Sequence, residues 1–427
     1  MNYGAARRAG NAMTTRECDV ERIPLTELQS RWQRCRELLV RFVPRAEGII
    51  VFSRLNIYYL SGTFGNGIFW LPLEGEPVLL CRRGLERAAL ESSMAGIFPF
   101  RSYKDVEGLL ENSGSPLAAK VAAEMNGLSW SLAESFTGHL GRHEFLPGDK
   151  ILAMARGTKS AWELAKIREA GARHDRCLTK LLPPLLREGQ SELEISRTLF
   201  SLLLDQGHHG MLRMENYGEE VFLGHIAAGD SANYPSVFNG PVGLRGMHPS
   251  VPHMGSAGKL WAAGEALTID IGFIFEGYHT DKTQVYWLGN AESIPGRVRA
   301  AHDFCIEIQQ WIADLLRPGA VPAAIWEQCL VRAEKSGWAE GFMALGRNKV
   351  AFVGHGIGLA IDEYPVLARG FDLPLEEGMV LAVEPKIGIP EIGMVGVENT
   401  FEVTAGGGRC LTGSYFDMIT IPPAEAS

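Results

Sequence analysis

LTIDIGFIFEGYHTDKTQVYW, residues 267–287, is the stretch that decides the fold. Its two runs are rich in β-branched and aromatic residues and are joined by Glu276-Gly277, which predicts a β-hairpin with a two-residue turn. In that register Asp270 faces Thr283, and Asp281 lies two positions from Thr283 on the same face of its strand. Diagonal neighbours of this kind have Cβ atoms about 7–8 Å apart, so the two carboxylates converge at a spacing that suits two divalent metals about 3.5–4 Å apart. The alternative is that both aspartates are turn-associated surface residues.

The composition is that of an ordinary globular protein. The 427 residues allow two or three domains, with 46% hydrophobic and 21% charged residues. A net charge of −9 argues against nucleic acid as a partner, because phosphate binding needs a concentrated positive field. The seven cysteines are scattered without a CxxC pair, which predicts reduced thiols in a cytoplasmic protein rather than disulfides or a Cys-based zinc site. No apolar run suits a signal peptide or a membrane span, so we expect neither.

Changes in composition and in the pattern of apolar residues along the chain predict an N-terminal tail and two domains. Residues 1–22 are predicted to be a flexible tail, residues 23–150 an α/β domain and residues 151–427 a second domain that contains the hairpin. In the first domain a helix is predicted over Leu25–Phe42, because its apolar residues recur on one face. Strands are predicted for GIIVF at 48–52 and for three short apolar runs, NIYYLSGT at 56–63, IFWLPL at 68–73 and PVLLC at 77–81.

Helices, a long loop and Gly-rich strands surround the hairpin. Ser160 and Glu163 have capping-box spacing, so a long amphipathic helix should begin there. The Gly- and Pro-rich segment 221–264 predicts a functional loop, since loops of this length are usually functional. The other predicted elements are helices over Glu192–Leu204, Pro295–Leu316 and Ala323–Ser336, and strand-like stretches over Val350–Leu359, Met379–Ile387 and Met394–Thr404.

Three further residues have side chains that could bind a metal ion. His355 lies in VGHGIGL, where flanking glycines leave its ring uncrowded enough to reach a metal; the alternative is a packed core histidine. Glu384 and Glu398 each interrupt an apolar strand, and a carboxylate there needs a cation or a raised pKa to offset its desolvation. Their positions centre on the loop GIPEIG, so Glu384 should lie roughly opposite Glu398. The alternative is a pair of strand-edge glutamates that face solvent.

Together these residues make four carboxylates and one imidazole. If they converge, their charge of about −4 matches two divalent ions. Hard oxygen ligands with one imidazole suit manganese, cobalt, iron or zinc. A water that bridges two such ions would be acidic enough to act as a nucleophile near neutral pH.

In this order the residues resemble the prolidase, aminopeptidase P, methionine aminopeptidase and creatinase family, which has the pita-bread fold. The matching stretches are IDIG and GYHTDKT, GHGIGL and DEYP, EEGMVLAVEPKIGIP, and GMVGVENTFEVT, with NIYYLSG and RGTKSAWELAKIREAG earlier in the chain. The resemblance implies an α/β (α+β) fold, in which a creatinase/prolidase-type N-terminal domain precedes a pita-bread catalytic domain. It also implies two divalent ions, manganese first and cobalt, zinc or iron as alternatives. The implied metal ligands are Asp270, Asp281, His355, Glu384 and Glu398.

The same resemblance implies an activity. A hydroxide that bridges the metals would cleave the amide bond of Xaa-Pro peptides, with Glu384 as ligand and proton shuttle. His253, 17 residues before Asp270, matches the substrate-side histidine of the family and is the second predicted catalytic residue. His225 and Asp362 are expected to line the substrate pocket. A small peptide or small amide substrate, a cytoplasmic homodimer, and no nucleic-acid or membrane partner complete the expectation.

Three positions depart from the peptidase pattern. Gln284 stands where the family usually has arginine, Asp362 where peptidases usually have a second histidine, and Gly396 where an arginine is common. Because partners around the ligands tune their basicity, these departures concern the substrate rather than the metals. One alternative is therefore an enzyme of the same fold that cleaves a C–N or C–S bond in a small metabolite. A non-catalytic binding module is another. His208 and His209 are predicted to be structural.

Overall fold

The computed structural model describes residues 21–215, 222–347 and 349–423, so most of the predicted tail at 1–22 lies outside the described residues. The chain divides into two compact units, one ending at Asp149 and the other beginning at Lys150. Both units mix helices with sheets, which confirms the predicted α/β class. Among the described residues, no helix has the length and hydropathy that a membrane span requires.

The first unit is built on one six-stranded sheet. Its strand order is β4-β3-β2-β1-β5-β6; β2 is antiparallel to both of its neighbours, and the other pairs are parallel. The elements are α1 (Leu25–Phe42), β1 (Gly48–Val51), α2 (Arg54–Ser61), β2 (Asn66–Pro72), β3 (Val78–Arg83), α3 (Leu85–Glu91), β4 (Ile97–Pro99), α4 (Val106–Asn112), β5 (Lys120–Ala123), α5 (Trp130–His139) and β6 (Glu144–Pro147).

Helix α1 has the predicted bounds, but the strand predicted at 56–63 is wrong. That segment lies mostly in α2, where the Ser53 side chain accepts a hydrogen bond from the Asn56 backbone N–H and so caps the helix. Gly62, in the left-handed conformation at φ 80°, ends it. The apolar run Ile-Tyr-Tyr-Leu is compatible with a strand or a helix, and the cap residues decide between them.

Among its described residues, the second unit contains three sheets and five α-helices. The sheets have the orders β17-β9-β8-β7, β11-β10-β12-β15-β16 and β13-β14. The elements are α6 (Asp149–Gly157), α7 (Ala161–Arg176), α8 (Glu192–Asp205), β7 (Gly224–Ala228), β8 (Ala266–Phe275), β9 (Tyr278–Leu288), α9 (Gly296–Leu315), α10 (Pro322–Lys335), β10 (Phe352–Gly356), β11 (Glu363–Ala368), β12 (Val380–Val383), β13 (Lys386–Ile389), β14 (Gly393–Gly396), β15 (Asn399–Thr404), β16 (Gly407–Cys410) and β17 (Ile419–Ile421).

Local signals in the sequence set the scaffold around the hairpin. The capping box at Ser160 and Glu163 is present at the start of α7. In β8, Ile269, Ile271 and Phe273 lie in one hydrophobic core with side chains of α7 and α8. Side chains alternate between the faces of a strand, so Asp270 projects from the opposite face of β8. One face of this sheet therefore packs on helices, and the other carries the acids.

The C-terminal strands form two consecutive antiparallel pairs in one continuous register. Val383 is the partner of Asn399 in β12 and β15, and Lys386 is the partner of Gly396 in β13 and β14. Glu384 and Glu398 occupy the break between the two pairs, at the opposed positions that the same register defines. Their predicted opposition is thus confirmed. The break leaves both glutamates outside the regular ladder.

Candidate metal centre

The hairpin β8–β9 places two aspartates on one face. Asp270 is the backbone partner of Thr283 and Gly272 is the partner of Asp281, which confirms the predicted register. The Thr283 hydroxyl lies 2.8 Å from Asp270 Oδ1 and 3.1 Å from Glu398 Oε2, and so links the hairpin to the C-terminal strands. The Asp281 backbone N–H donates to Thr400 Oγ1 at 2.8 Å. These bonds hold the hairpin acids against β15.

Five predicted side chains come together in two overlapping groups. Asp281, His355 and Glu398 offer ligand atoms within 4.8 Å of one another, and so do Asp270, Glu384 and Glu398. Glu398 belongs to both groups. Asp270, Asp281 and His355 lie in β8, β9 and β10, and the two glutamates lie at the break between the C-terminal strand pairs. We call Asp270, Asp281, Glu384 and Glu398 the acid cluster.

His355 faces the acid cluster with one ring nitrogen. Its Nδ1 lies 3.0 Å from the Gly356 carbonyl oxygen, to which a proton on Nδ1 would be donated. Nε2 lies 3.6 Å from Glu384 Oε1 and 3.9 Å from Glu398 Oε1. A histidine held through one nitrogen by a carbonyl, with the other turned toward carboxylates, has the arrangement typical of a metal ligand.

Burial makes ionisation of the carboxyl groups in the acid cluster unfavourable. Burial, followed by repulsion from Asp270, holds the pKa of Asp281 well above its ordinary value. Burial and the neighbouring Asp281 likewise hold the pKa of Glu398 well above its usual range. Carboxylates in this situation need cations nearby to stay ionised.

Sequence reasoning missed one functional residue, Lys386. Its side chain is fully buried, and its Nζ lies 2.8 Å from Glu398 Oε2, 2.9 Å from Glu384 Oε2 and 3.4 Å from Asp270 Oδ2. Burial by itself lowers the pKa of Lys386, but the three carboxylates raise it well above its ordinary value, so the ammonium is charged. The signal was available in the sequence, because a lysine in the apolar stretch VEPKIGIP needs a buried anion.

His225, which is predicted to line the pocket, and His253, which is predicted to be catalytic, both lie beside Phe238. The ring centroid of Phe238 is 5.5 Å from that of His225 and 5.8 Å from that of His253. His225 is the backbone partner of Asp270, and its Nε2 lies 3.2 Å from Ser236 Oγ. Burial lowers the pKa of His225 to about 4, so the ring is neutral at pH 7. His253 is half-buried; its role toward substrate stays a prediction.

The three departures from the peptidase pattern have different surroundings. Gln284 Nε2 donates to the Asp417 carbonyl oxygen at 2.8 Å. Its strand neighbour on the same face, Tyr286, packs with α7 and α8, so Gln284 lies on the helix-covered face rather than beside the acids. Asp362 accepts a hydrogen bond from the Glu215 backbone N–H at 2.8 Å and interacts electrostatically with His355. Gly396 lies opposite Lys386.

The Asp362→Asn variant is expected to be more stable than the native chain above pH 6, with both proteins metal-free. Burial raises the pKa of Asp362 from 3.8 to about 6, so ionisation of this carboxyl opposes folding at high pH. The cost should be about 1–2 kcal/mol after allowance for solvent screening. It disappears as pH falls from about 6 to 4, where the native carboxyl becomes protonated in the folded state. Asparagine keeps an oxygen for the Glu215 N–H.

Denaturant unfolding of both proteins after chelation, at pH 8 and pH 4.5, measures this difference. Equal stability differences at the two pH values would contradict the role given to Asp362. Unfolding in chelator is needed because a bound cation would change the field at His355 and its neighbours.

The residues present fit a divalent metal ion. The donor set combines buried carboxylate oxygens with one imidazole nitrogen, which suits a first-row divalent ion. The candidate metal position that includes the imidazole lies among Asp281, His355 and Glu398. Glu384 Oε1 faces His355 Nε2 at the same position. Ligation by these residues stays a proposal.

Comparison with known families agrees with this site. Residues 165–405 match the model of metallopeptidase family M24, and residues 31–157 match the creatinase/prolidase N-terminal domain. The acid cluster and His355 all lie within the first match.

Individual relatives are similar over nearly the whole chain. The Xaa-Pro dipeptidase of Pyrococcus furiosus is 24% identical over 386 residues, which cover 90% of this chain and 99% of the relative. A probable dipeptidase PepE of Mycobacterium tuberculosis is 26% identical over 389 residues, or 88% of this chain and 92% of the relative. Among solved structures, dipeptidase PepE from Mycobacterium ulcerans has a TM-score of 0.75 at 22% identity, covering 94% of this chain and 100% of that one. This last likeness bears on the fold alone.

Proposed function

The chain belongs to metallopeptidase family M24, and from this premise we propose that it is an Xaa-Pro peptidase, which hydrolyses the amide bond between a residue and a following proline. The observation that carries the proposal is the gathering of four carboxylates and His355 Nε2 into two overlapping groups that share Glu398. A hydrolase of this class needs such a donor set to hold divalent metal.

The metal would be held first by Asp281, His355 and Glu398. When bound, a divalent ion activates water as the nucleophile and polarises the carbonyl of the bond to be cleaved. Manganese is the ion we propose, because two of these three donors are carboxylate oxygens. The second predicted ion would have to share Asp270, Glu384 and Glu398 with the ammonium of Lys386.

Glu384 is the residue that we propose moves the proton. Its Oε1 faces His355 Nε2, while its Oε2 is held by the Lys386 ammonium. The side chain is therefore fixed in place with one oxygen directed toward the reacting centre, as a general base requires. It would take a proton from the attacking water and return it to the leaving proline nitrogen. His253 would donate a hydrogen bond to the substrate carbonyl or to the leaving nitrogen.

A second candidate function is hydrolysis of a C–N bond in a small metabolite that carries a cationic group, such as an amidine. Asp362 favours it, because a half-buried carboxylate stands where peptidases usually have histidine. A carboxylate pairs with an amidinium through charge-assisted hydrogen bonds, which a neutral imidazole makes less well.

A panel of substrates with manganese tests the proposal. We expect hydrolysis of Xaa-Pro dipeptides at least about 10-fold faster than of Xaa-Ala dipeptides, since the prediction requires selection for proline. Longer Xaa-Pro peptides and small amidines complete the panel, and the Asp281→Asn variant is the blank for contaminating peptidases. Turnover of an amidine without any turnover of Xaa-Pro substrates would contradict the first candidate and support the second. The predicted homodimer and the cytoplasmic location stay predictions.

A further inference from the structure

Lys386 lies within one of the two groups that could hold a metal. The three carboxylate oxygens that its ammonium contacts, at 2.8, 2.9 and 3.4 Å, belong to Glu398, Glu384 and Asp270. These are the three residues of the second group. The ammonium therefore occupies the place where a cation shared by these carboxylates would sit.

The two oxygens of each glutamate face different partners. Oε1 of Glu384 and Oε1 of Glu398 face His355 Nε2, whereas the Oε2 atoms of both face Lys386. A first-row divalent ion needs oxygens at about 2.0–2.2 Å, so an ion bound by the Oε2 atoms would lie very close to the ammonium. Two cations so close together in a buried site repel strongly. The Oε1 side, in contrast, has no ammonium among its described contacts.

The strand opposite Lys386 has no room for a side chain at Gly396. Gly396, the partner of Lys386, has φ of 145°. A Cβ at Gly396 would lie 2.4 Å from the Pro385 carbonyl oxygen, 2.7 Å from Lys386 Cα and 3.1 Å from Lys386 Cγ. A side chain at position 396 therefore conflicts with the backbone and the aliphatic part of Lys386.

We propose that the Lys386 ammonium takes the place of one of the two expected ions, so that this chain binds a single divalent ion among Asp281, His355 and Glu398, which leaves Glu384 Oε1 for the proton transfer proposed above. The inference rests on the proposed metallohydrolase function and deepens it. Lys386 then acts as a positioning residue: it keeps Asp270 and the Oε2 atoms of both glutamates in place without contacting substrate.

Metal stoichiometry tests the proposal directly. The chelated protein is titrated with Mn²⁺ by calorimetry, and the metal content is measured after dialysis. The native chain is expected to bind one ion. Lys386→Met, purified with Mn²⁺ present, is expected to bind two, because three carboxylates lose their built-in cation while the side chain keeps its approximate length. Electron paramagnetic resonance should show an isolated Mn²⁺ in the native chain and a spin-coupled pair in the variant.

Lys386→Arg is the matched control, since it retains the positive charge and should bind one ion. Two ions in the native chain, with a coupled spectrum, would overturn the proposal whether or not the methionine variant folds. One ion in a folded Lys386→Met protein would also overturn it, because the lysine would then not be what excludes the second. Absence of any bound ion would overturn the metallohydrolase function as well. One ion per native chain with no turnover of the substrate panel would support this inference while contradicting the proposed substrate.

Discussion

Replacing Glu398 with glutamine is expected to reduce the proposed Xaa-Pro hydrolysis at least about 10³-fold. Loss of a residue that only hydrogen-bonds to a metal ligand already reduces activity or metal affinity about 10- to 100-fold. Glu398 is the residue common to both candidate groups. Its Oε1 faces His355, and its Oε2 contacts Lys386 and Thr283. Glutamine keeps the size of the side chain but removes the charge that a divalent ion would bind. The variant should therefore also lose affinity for Mn²⁺.

The measurement is kcat/KM on an Xaa-Pro dipeptide together with Mn²⁺ titration of the chelated protein. Glu391→Gln is the matched control: it is the same chemical change at an exposed position in the turn between β13 and β14, and it should leave both quantities unchanged. If Glu398→Gln retains both its affinity for Mn²⁺ and more than a tenth of the activity, the acid cluster is not the metal site.

Replacing Glu363 with glutamine is expected to destabilise the second unit by about 3–5 kcal/mol, the range for a buried ion pair that loses one partner. Glu363 is buried and accepts hydrogen bonds from Arg156 at 3.2 Å, from Lys159 at 3.3 Å and from the Ala360 backbone N–H at 3.0 Å. Arg156 and Lys159 are themselves buried. In the variant, the buried side chains of Arg156 and Lys159 lose the carboxylate charge that Glu363 supplies.

The contribution of Glu363 to the free energy of unfolding is expected to decrease at low pH. Burial raises the pKa of Glu363, but Lys159 and Arg156 outweigh it, and the pKa ends below its ordinary value. Its stabilising contribution is therefore present above the unfolded pKa, near 4.5, and is lost as pH falls through the lower folded value. Chemical denaturation at pH 7.5 and pH 4 should show a larger gap between native and variant proteins at pH 7.5.

Glu169→Gln is the control for the Glu363 variant. Glu169 pairs with Arg173 on the surface of α7, in an i,i+4 arrangement with both side chains about a third to a half exposed. Such pairs contribute only about 0.3–0.5 kcal/mol. If Glu363→Gln lowers the free energy of unfolding no more than Glu169→Gln does, the buried position of Glu363 adds nothing to its ion pairs, and the prediction is wrong.

The parts of the site that follow local rules could be predicted from sequence. The turn at Glu276-Gly277 fixed the pairing of Asp270 with Thr283, because a two-residue loop leaves one register. The opposition of Glu384 and Glu398 followed from the short connection between their strands. The helix α7 could be placed because Ser160 and Glu163 satisfy each other's backbone groups.

What sequence did not reveal depends on contacts between distant segments. Lys386 is a single polar residue in an apolar strand, and its partners Asp270 and Glu398 become visible only when the strands assemble. Gln284 is a departure from the peptidase motif that we related to the substrate, yet strand alternation directs it to the helix-covered face, where its Nε2 donates to the Asp417 carbonyl oxygen. For α2, the cap at Ser53 outweighed the β propensity of an apolar run.

The turn at the end of the β8–β9 hairpin has a consequence far from its own position. Both of its residues have left-handed backbone conformations, with φ of 48° at Glu276 and 88° at Gly277. The Glu276 carboxylate contacts Lys166, and its backbone N–H donates to His209 Nε2. Because neighbouring side chains on a strand point to opposite sides, a shift of the pairing by one residue would turn one of the two aspartates toward the helices. The turn that sets this register therefore also sets the distance between the two carboxylates, although it carries no catalytic group.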